Sequence, residues 1–181
     1  VLLITLVAFE ELAATTIMPA VVASFDAAAW YPIASGAALA TQLSATVVAG
    51  ALADWKGPRV VLLSGLALFA VGLMVCAAGS HVTIFVIGRA LQGLGGGLLI
   101  VPLYVLVGAV ASARHRPSFF ASFSLAWVLP SLVGPAIAGH VTEAWGWRYV
   151  FGVVPLFVAI AAVPIAYVLR SLPTARGCRS P

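Results

Sequence analysis

Gly50-Ala51-Leu52-Ala53-Asp54-Trp55-Lys56-Gly57-Pro58-Arg59-Val60-Val61-Leu62 carries a short polar turn between two long apolar runs. The run before the turn covers about residues 30–53, and the run after it about 60–79. A helix needs about 20 apolar residues to cross a hydrocarbon core of about 30 Å, and each run meets that length. Reading outward gives four more runs: about residues 1–23, 82–110, 119–141 and 147–169. Asp26, Ser80-His81 and Arg114-His115-Arg116-Pro117 mark breaks between them. The chain therefore reads as an all-α, polytopic membrane protein. Residues 1–170 form a six-helix transmembrane bundle, and 171–181 form a basic cytoplasmic tail or the start of a linker.

Composition excludes the main alternatives. Of 181 residues, 63% are hydrophobic and 8% charged, and the mean hydropathy is +1.15. Soluble domains carry about 25% charged residues. So few charges cannot cover a soluble globule, which excludes a soluble enzyme, a disordered tail and a DNA-binding domain. The isoelectric point near 9.6 rests on a net charge of only +4. The arginines are scattered and form no stripe for phosphate tracking, so no nucleic-acid partner is expected. Cys76 and Cys178 give no disulfide framework. His81, His115 and His140 form no metal-ligand cluster, and no nucleophile–base pair is present. The sequence thus calls for no metal, no cofactor and no enzymatic chemistry.

Lys56, Arg59, Arg114, Arg116, Arg170, Arg176 and Arg179 fall on one side of the bundle, against Arg148, Asp26 and Glu143 on the other. Lys/Arg excess marks the cytoplasmic face, which places both termini inside a plasma (bacterial inner) membrane. The chain opens on Val rather than Met and stops shortly after the sixth run. Both ends suggest a piece of something longer.

Three charges fall inside the spans: Glu10, Glu11 and Arg89. Each costs roughly 2.5–3.5 kcal/mol at a helix centre, so such groups face a bundle interior or a water-filled cavity. Neighbouring helical residues point about 100° apart. One glutamate is therefore expected to line the interior and the other to pack near an interface. The alternative is that both reach toward one membrane surface. A carboxyl removed from water favours its protonated form, which makes Glu10 or Glu11 a proton-coupling candidate. Arg89 stays charged and is suited to hold a carboxylate or to tune it.

Gly93-Leu94-Gly95-Gly96-Gly97 lies inside an apolar run, with no Lys-Ser/Thr after it, so it is not a phosphate loop. Gly93 and Gly97 instead give a small-xxx-small face for close helix packing, as do Gly134 and Ala138 on the fifth helix. Prolines at 19, 32, 102, 130, 135, 155 and 164 resemble the bent and broken helices of transporters. Gly50, Asp54, Gly57 and Arg59 recur at identical spacing as Gly139, Glu143, Gly146 and Arg148. That is the pattern of an inverted three-plus-three repeat.

Three stretches resemble signatures of the major facilitator superfamily. The turn resembles its loop G-x-L-A-D-R-x-G-R-K-x-x-L: Gly50, Leu52, Ala53, Asp54, Gly57 and Leu62 match, and Arg59 supplies a basic residue. Trp55 and Pro58 depart from the pattern. Gly50 is expected to allow close helix approach, and Asp54 to sit at the start of the third helix, where negative charge is favoured. Arg89-Ala90-Leu91-Gln92-Gly93-Leu94-Gly95 resembles R-x-x-Q-G-x-G. Gly134-Pro135-Ala136-Ile137-Ala138-Gly139 resembles the antiporter signature G-x-x-x-G-P-x-x-G-G, with Pro130 and Ala138 in place of two glycines.

The resemblance implies the N-terminal six-helix half of a drug:proton antiporter, with a C-terminal half missing from this chain. It implies protons and a small lipophilic or drug-like molecule as partners. It makes Gly50, Asp54, Gly57 and Arg59 a conformational latch and ties Arg89 to proton transfer. It gives Gln92, Gly93, Gly134, Pro135 and Gly139 to helix packing and the antiporter motif. The first, second, fourth and fifth helices would wall the cavity. A proton-coupled uptake symporter of the same superfamily and a non-transporting fragment are the alternatives.

Overall fold

The computed structural model describes residues 1–110 and 116–171. Arg114, His115 and residues 172–181 of the basic tail, with Cys178, lie outside them. Six helices follow one another: α1 (Leu2–Ser24), α2 (Tyr31–Lys56), α3 (Pro58–Ala78), α4 (Val82–Val110), α5 (Arg116–Trp145) and α6 (Trp147–Ser171), with a 3₁₀ turn at Ala28–Trp30 before α2. Five of them are long and apolar enough to cross a membrane over their described residues, and Trp147–Ala162 of α6 forms a shorter apolar segment. In hydrocarbon every backbone N–H and C=O must be bonded within the protein, which the helices achieve.

The helices alternate in direction, so Gly57 lies at one end of the bundle and Gly146 at the other. α2 and α3 are separated by Gly57 alone, and α5 and α6 by Gly146 alone. Both glycines have left-handed backbones, φ 87° and 96°. Side chains rarely adopt this conformation, which is why glycine occupies both turns. Pro58 then opens α3, where its missing N–H costs nothing. The recurring spacing in the sequence thus corresponds to two turns of the same construction.

The turns differ from expectation in extent. Asp54 and Lys56 belong to the last turn of α2, and Glu143 to the last turn of α5. Asp54 therefore stands at the C-terminal end of α2 rather than the start of α3, because a single left-handed glycine completes the reversal. Pro32 also stands at the beginning of α2 instead of inside it. α1 runs unbroken through Pro19, α4 through Pro102, and α5 through Pro130 and Pro135.

α4 packs against α2 and α3, α1 packs against α5 and α6, and α3 meets α6. Each set of three helices lends its first member to the other, as an inverted repeat requires. Glycines set the closeness, as they do where membrane helices meet backbone to backbone. A Cβ at Gly93 would collide with the Ala38 carbonyl of α2, and one at Gly97 would lie 2.7 Å from Ala45 Cβ and 2.9 Å from Thr46 N. On the α3 side, a Cβ at Gly95 would lie 2.7 Å from Gly65 O, and one at Gly88 would lie 2.7 Å from Cys76 Sγ. Gly50 and Gly139 differ: a Cβ at either would meet nothing within 4 Å. The close approach expected at Gly50 is not made among the described residues.

The buried core runs through Phe69 and Leu73 of α3, Phe85 of α4 and Phe151 of α6. At the Gly146 end, the Trp147 indole N–H donates to Ser24 Oγ at 3.0 Å, and an Arg148 N–H donates to Gly79 O at 2.9 Å. The Arg148 guanidinium also lies over the Trp147 ring, 4.5 Å from its centroid. These contacts tie α6 to the ends of α1 and α3.

Candidate proton-coupling site

Glu10 lies near the middle of α1, and Arg89 and Gln92 lie three residues apart on α4. That spacing puts Arg89 and Gln92 on one face of their helix. Both point at Glu10. Arg89 Nη1 donates to Glu10 Oε1 at 3.0 Å and to Gln92 Oε1 at 2.6 Å, and Gln92 Nε2 donates to Glu10 Oε2. Carboxylate, guanidinium and amide thus close a ring. Relative exposures are 0% for Glu10 and 2% for Arg89 and Gln92, so water does not reach the ring. Arg89 Nε is buried without a hydrogen-bond partner.

Isolated charges are not tolerated in such a place, whereas a paired, hydrogen-bonded set is. The ring has one proton-accepting group, one permanent cation and one amide that bonds to both. Adding a proton to Glu10 removes the charge that holds Arg89 to α1. Protonation of Glu10 in this arrangement would weaken the attraction between α1 and α4.

The structure assigns the two glutamates different surroundings. Glu10 is sealed inside the bundle. Glu11 is half-buried on the neighbouring face of α1, beside the Gln42 side chain of α2. Of the other sequence candidates, only Gln92 joins the ring, in a hydrogen-bonding role beyond the packing role its motif implied. Its spacing from Arg89 was the available signal. Asp54, Gly57 and Arg59 lie at the end of the bundle, with Asp54 exposed. Gly93 serves the α2–α4 contact. A Cβ at Gly134 would lie 3.5 Å from the ring of Phe9, next to Glu10 on α1, and Ala138 is buried. Pro135 is half-buried within the same helix, while Gly139 has no neighbour in reach.

Gly72 of α3 was missed in the sequence. A Cβ there would approach Gln92 Cα to 2.7 Å, so glycine at this position lets α3 back the residue that bonds Glu10. An apolar groove of about 690 Å³ lies between α1, α5 and α6, lined by Phe9, Ala138, Val154 and their neighbours. The ring does not open into it. Among the described residues no group of three or more His, Cys, Asp or Glu side chains is placed to hold a metal ion.

Comparison with known proteins agrees with this architecture. The family model described as Major Facilitator Superfamily matches residues 1–180. The chain is 32% identical over 157 residues to the multidrug transporter protein MdtP of Bacillus subtilis, covering 87% of this chain and 28% of that protein. It is 31% identical over 165 residues to a probable multidrug-efflux transporter of Mycobacterium tuberculosis, covering 90% of this chain and 35% of that one. A crystal structure of a D-xylose–proton symporter superposes with a TM-score of 0.69 at 16% identity, over 96% of this chain and 53% of the symporter. The chain thus spans about a third or less of the first two relatives and about half of the symporter.

Proposed function

The chain belongs to the Major Facilitator Superfamily, and from that premise we propose that it forms the N-terminal six-helix half of a proton-coupled exporter of small lipophilic or drug-like molecules. The sealed Glu10–Arg89–Gln92 ring carries the reading. It supplies the one thing proton coupling requires, a buried carboxyl whose charge ties α1 to α4. A proton arriving from outside neutralises Glu10 and loosens its hold on Arg89. The bundle then shifts between inward- and outward-facing states, and loss of the proton to the inside restores the ion pair.

Export is favoured by the multidrug and efflux relatives and by the glycine–proline pattern on α5. α2 and α5 leave most of their apolar surface uncovered, which suits helices that face a second six-helix half and a cavity between the halves. Alternating access needs both halves. The Lys/Arg distribution supports a cytoplasmic Gly57 end, with both termini inside.

The test is made in the complete transporter that carries this chain. Glu10→Gln should abolish proton-driven efflux while the protein inserts at its normal level. Cells with the unaltered protein should accumulate more substrate when an uncoupler collapses the proton gradient. Efflux that survives Glu10→Gln would overturn the coupling role, and accumulation that falls with the uncoupler would mark an uptake symporter instead.

A further inference from the structure

We propose that Leu3 and Val7 of α1 and Leu99 of α4 form an apolar gate through which the proton of Glu10 leaves toward the Gly57 end of the bundle. This inference rests on the proton-coupling reading above and adds the exit route to it. The ring is sealed, so a proton on Glu10 needs a path to water. Toward the Gly57 end, the stretches of α1 before Glu10 and of α4 after Gln92 hold no acid, histidine or cysteine. No carboxyl, imidazole or thiol of these two helices can pass the proton on in that direction, so its release there requires water to enter. Val7 and Leu3 precede Glu10 by three and seven residues, and Leu99 follows Gln92 by seven, so all three lie on the helix faces that carry the ring. They are 3%, 3% and 1% exposed and belong to one buried cluster. Seven residues of helix are about 10 Å long. An apolar constriction excludes water until it widens.

The opposite direction is closed more firmly. Phe85 of α4 packs against Phe25, Trp147 and Phe151, with ring centroids 6.4, 5.6 and 5.4 Å apart. Beside these rings the Trp147 and Arg148 side chains bond to Ser24 and Gly79. None of these contacts involves a group of the Glu10 ring. α1 and α4 themselves touch little, and the ring ties them across the bundle. When a proton cancels the Glu10 charge, that tie weakens, and the side closed by three aliphatic side chains is the one that widens. Water then takes the proton from the Glu10 carboxyl and carries it off as hydronium, and the carboxylate returns to Arg89.

The complete transporter is reconstituted in liposomes under a pH gradient without substrate, and proton entry is read with a pH-sensitive dye. Val7→Ser and Leu99→Ser each put a void and a hydroxyl into the gate and should raise the proton flux by about tenfold or more. Val21→Ser, buried on the same face of α1 but beyond Glu10, should leave it at background. Adding Glu10→Gln to either leaking variant should silence the leak, which a merely damaged bundle would not allow. Val7→Thr keeps the shape of Val7 and replaces any serine variant that fails to insert, with a smaller rise expected. Inserted gate variants without a leak, an equal leak from Val21→Ser, or a leak that survives Glu10→Gln overturns the proposal. Failure of the coupling reading shows elsewhere, as driven efflux that survives Glu10→Gln in an otherwise unaltered protein.

Discussion

Arg89 Nη1 lies 3.0 Å from Glu10 Oε1, and the two residues, far apart in the chain, are both shut away from water. Breaking a buried ion pair from one side leaves the partner charge uncompensated and costs about 3–5 kcal/mol. Arg89→Met and Glu10→Leu should each destabilise the purified protein by that order, read as a lower thermal midpoint. The double variant should be more stable than either, because it leaves no orphan charge. A double variant whose loss equals the sum of the single losses would show that the two residues are not coupled.

The glycines of α4 should separate sharply from those elsewhere. Gly93→Ala and Gly97→Ala press a methyl against the α2 backbone, and overpacking of this kind costs about 1–3 kcal/mol. Gly50→Ala and Gly139→Ala meet open space and gain helix propensity, up to about 1 kcal/mol. Thermal unfolding in detergent ranks the four. A Gly50→Ala protein that is stable but inactive would place the constraint at Gly50 outside this half.

Gly57→Ala and Gly146→Ala should each cost about 1–2 kcal/mol, the strain of placing an L side chain in the left-handed region. The two losses should be similar, since the turns share one construction. A loss at only one turn would show that the other relaxes to a new path.

Trp147→Phe keeps the ring but removes the indole N–H that donates to Ser24, a loss of about 0.5–1.5 kcal/mol. Ser24→Ala should cost about the same, and the double variant little more. Additive losses would mean that the two side chains act apart.

Orientation has its own check. Trp55 is exposed at the Gly57 end, at 78% of its surface, and Asp26 lies at the opposite end. In a background without other cysteines, Trp55→Cys should react with a membrane-impermeant maleimide only from the cytoplasmic side, and Asp26→Cys only from outside. The reverse pattern would invert the topology.

The apolar runs determined the number of helices and their approximate bounds, because hydrocarbon forces the backbone of any spanning segment to bond within itself. The repeated glycine and acid spacing marked both tight turns, since a single left-handed residue between helices is a local demand that one sequence position can meet. The three intramembrane charges were legible for the same reason: their cost does not depend on the fold. What lay beyond the sequence was partnership. Which of two adjacent glutamates faces inward follows from the rotation of α1, set by its packing on α5 and α6, and from the position of α4, which Gly72, Gly88, Gly93 and Gly97 hold close against α2 and α3. Gln92 became a bonding partner, Gly50 proved to face open space among the described residues, and Asp54 moved to a helix end. Each of these outcomes depends on packing between segments distant in the chain, which only the tertiary structure decides.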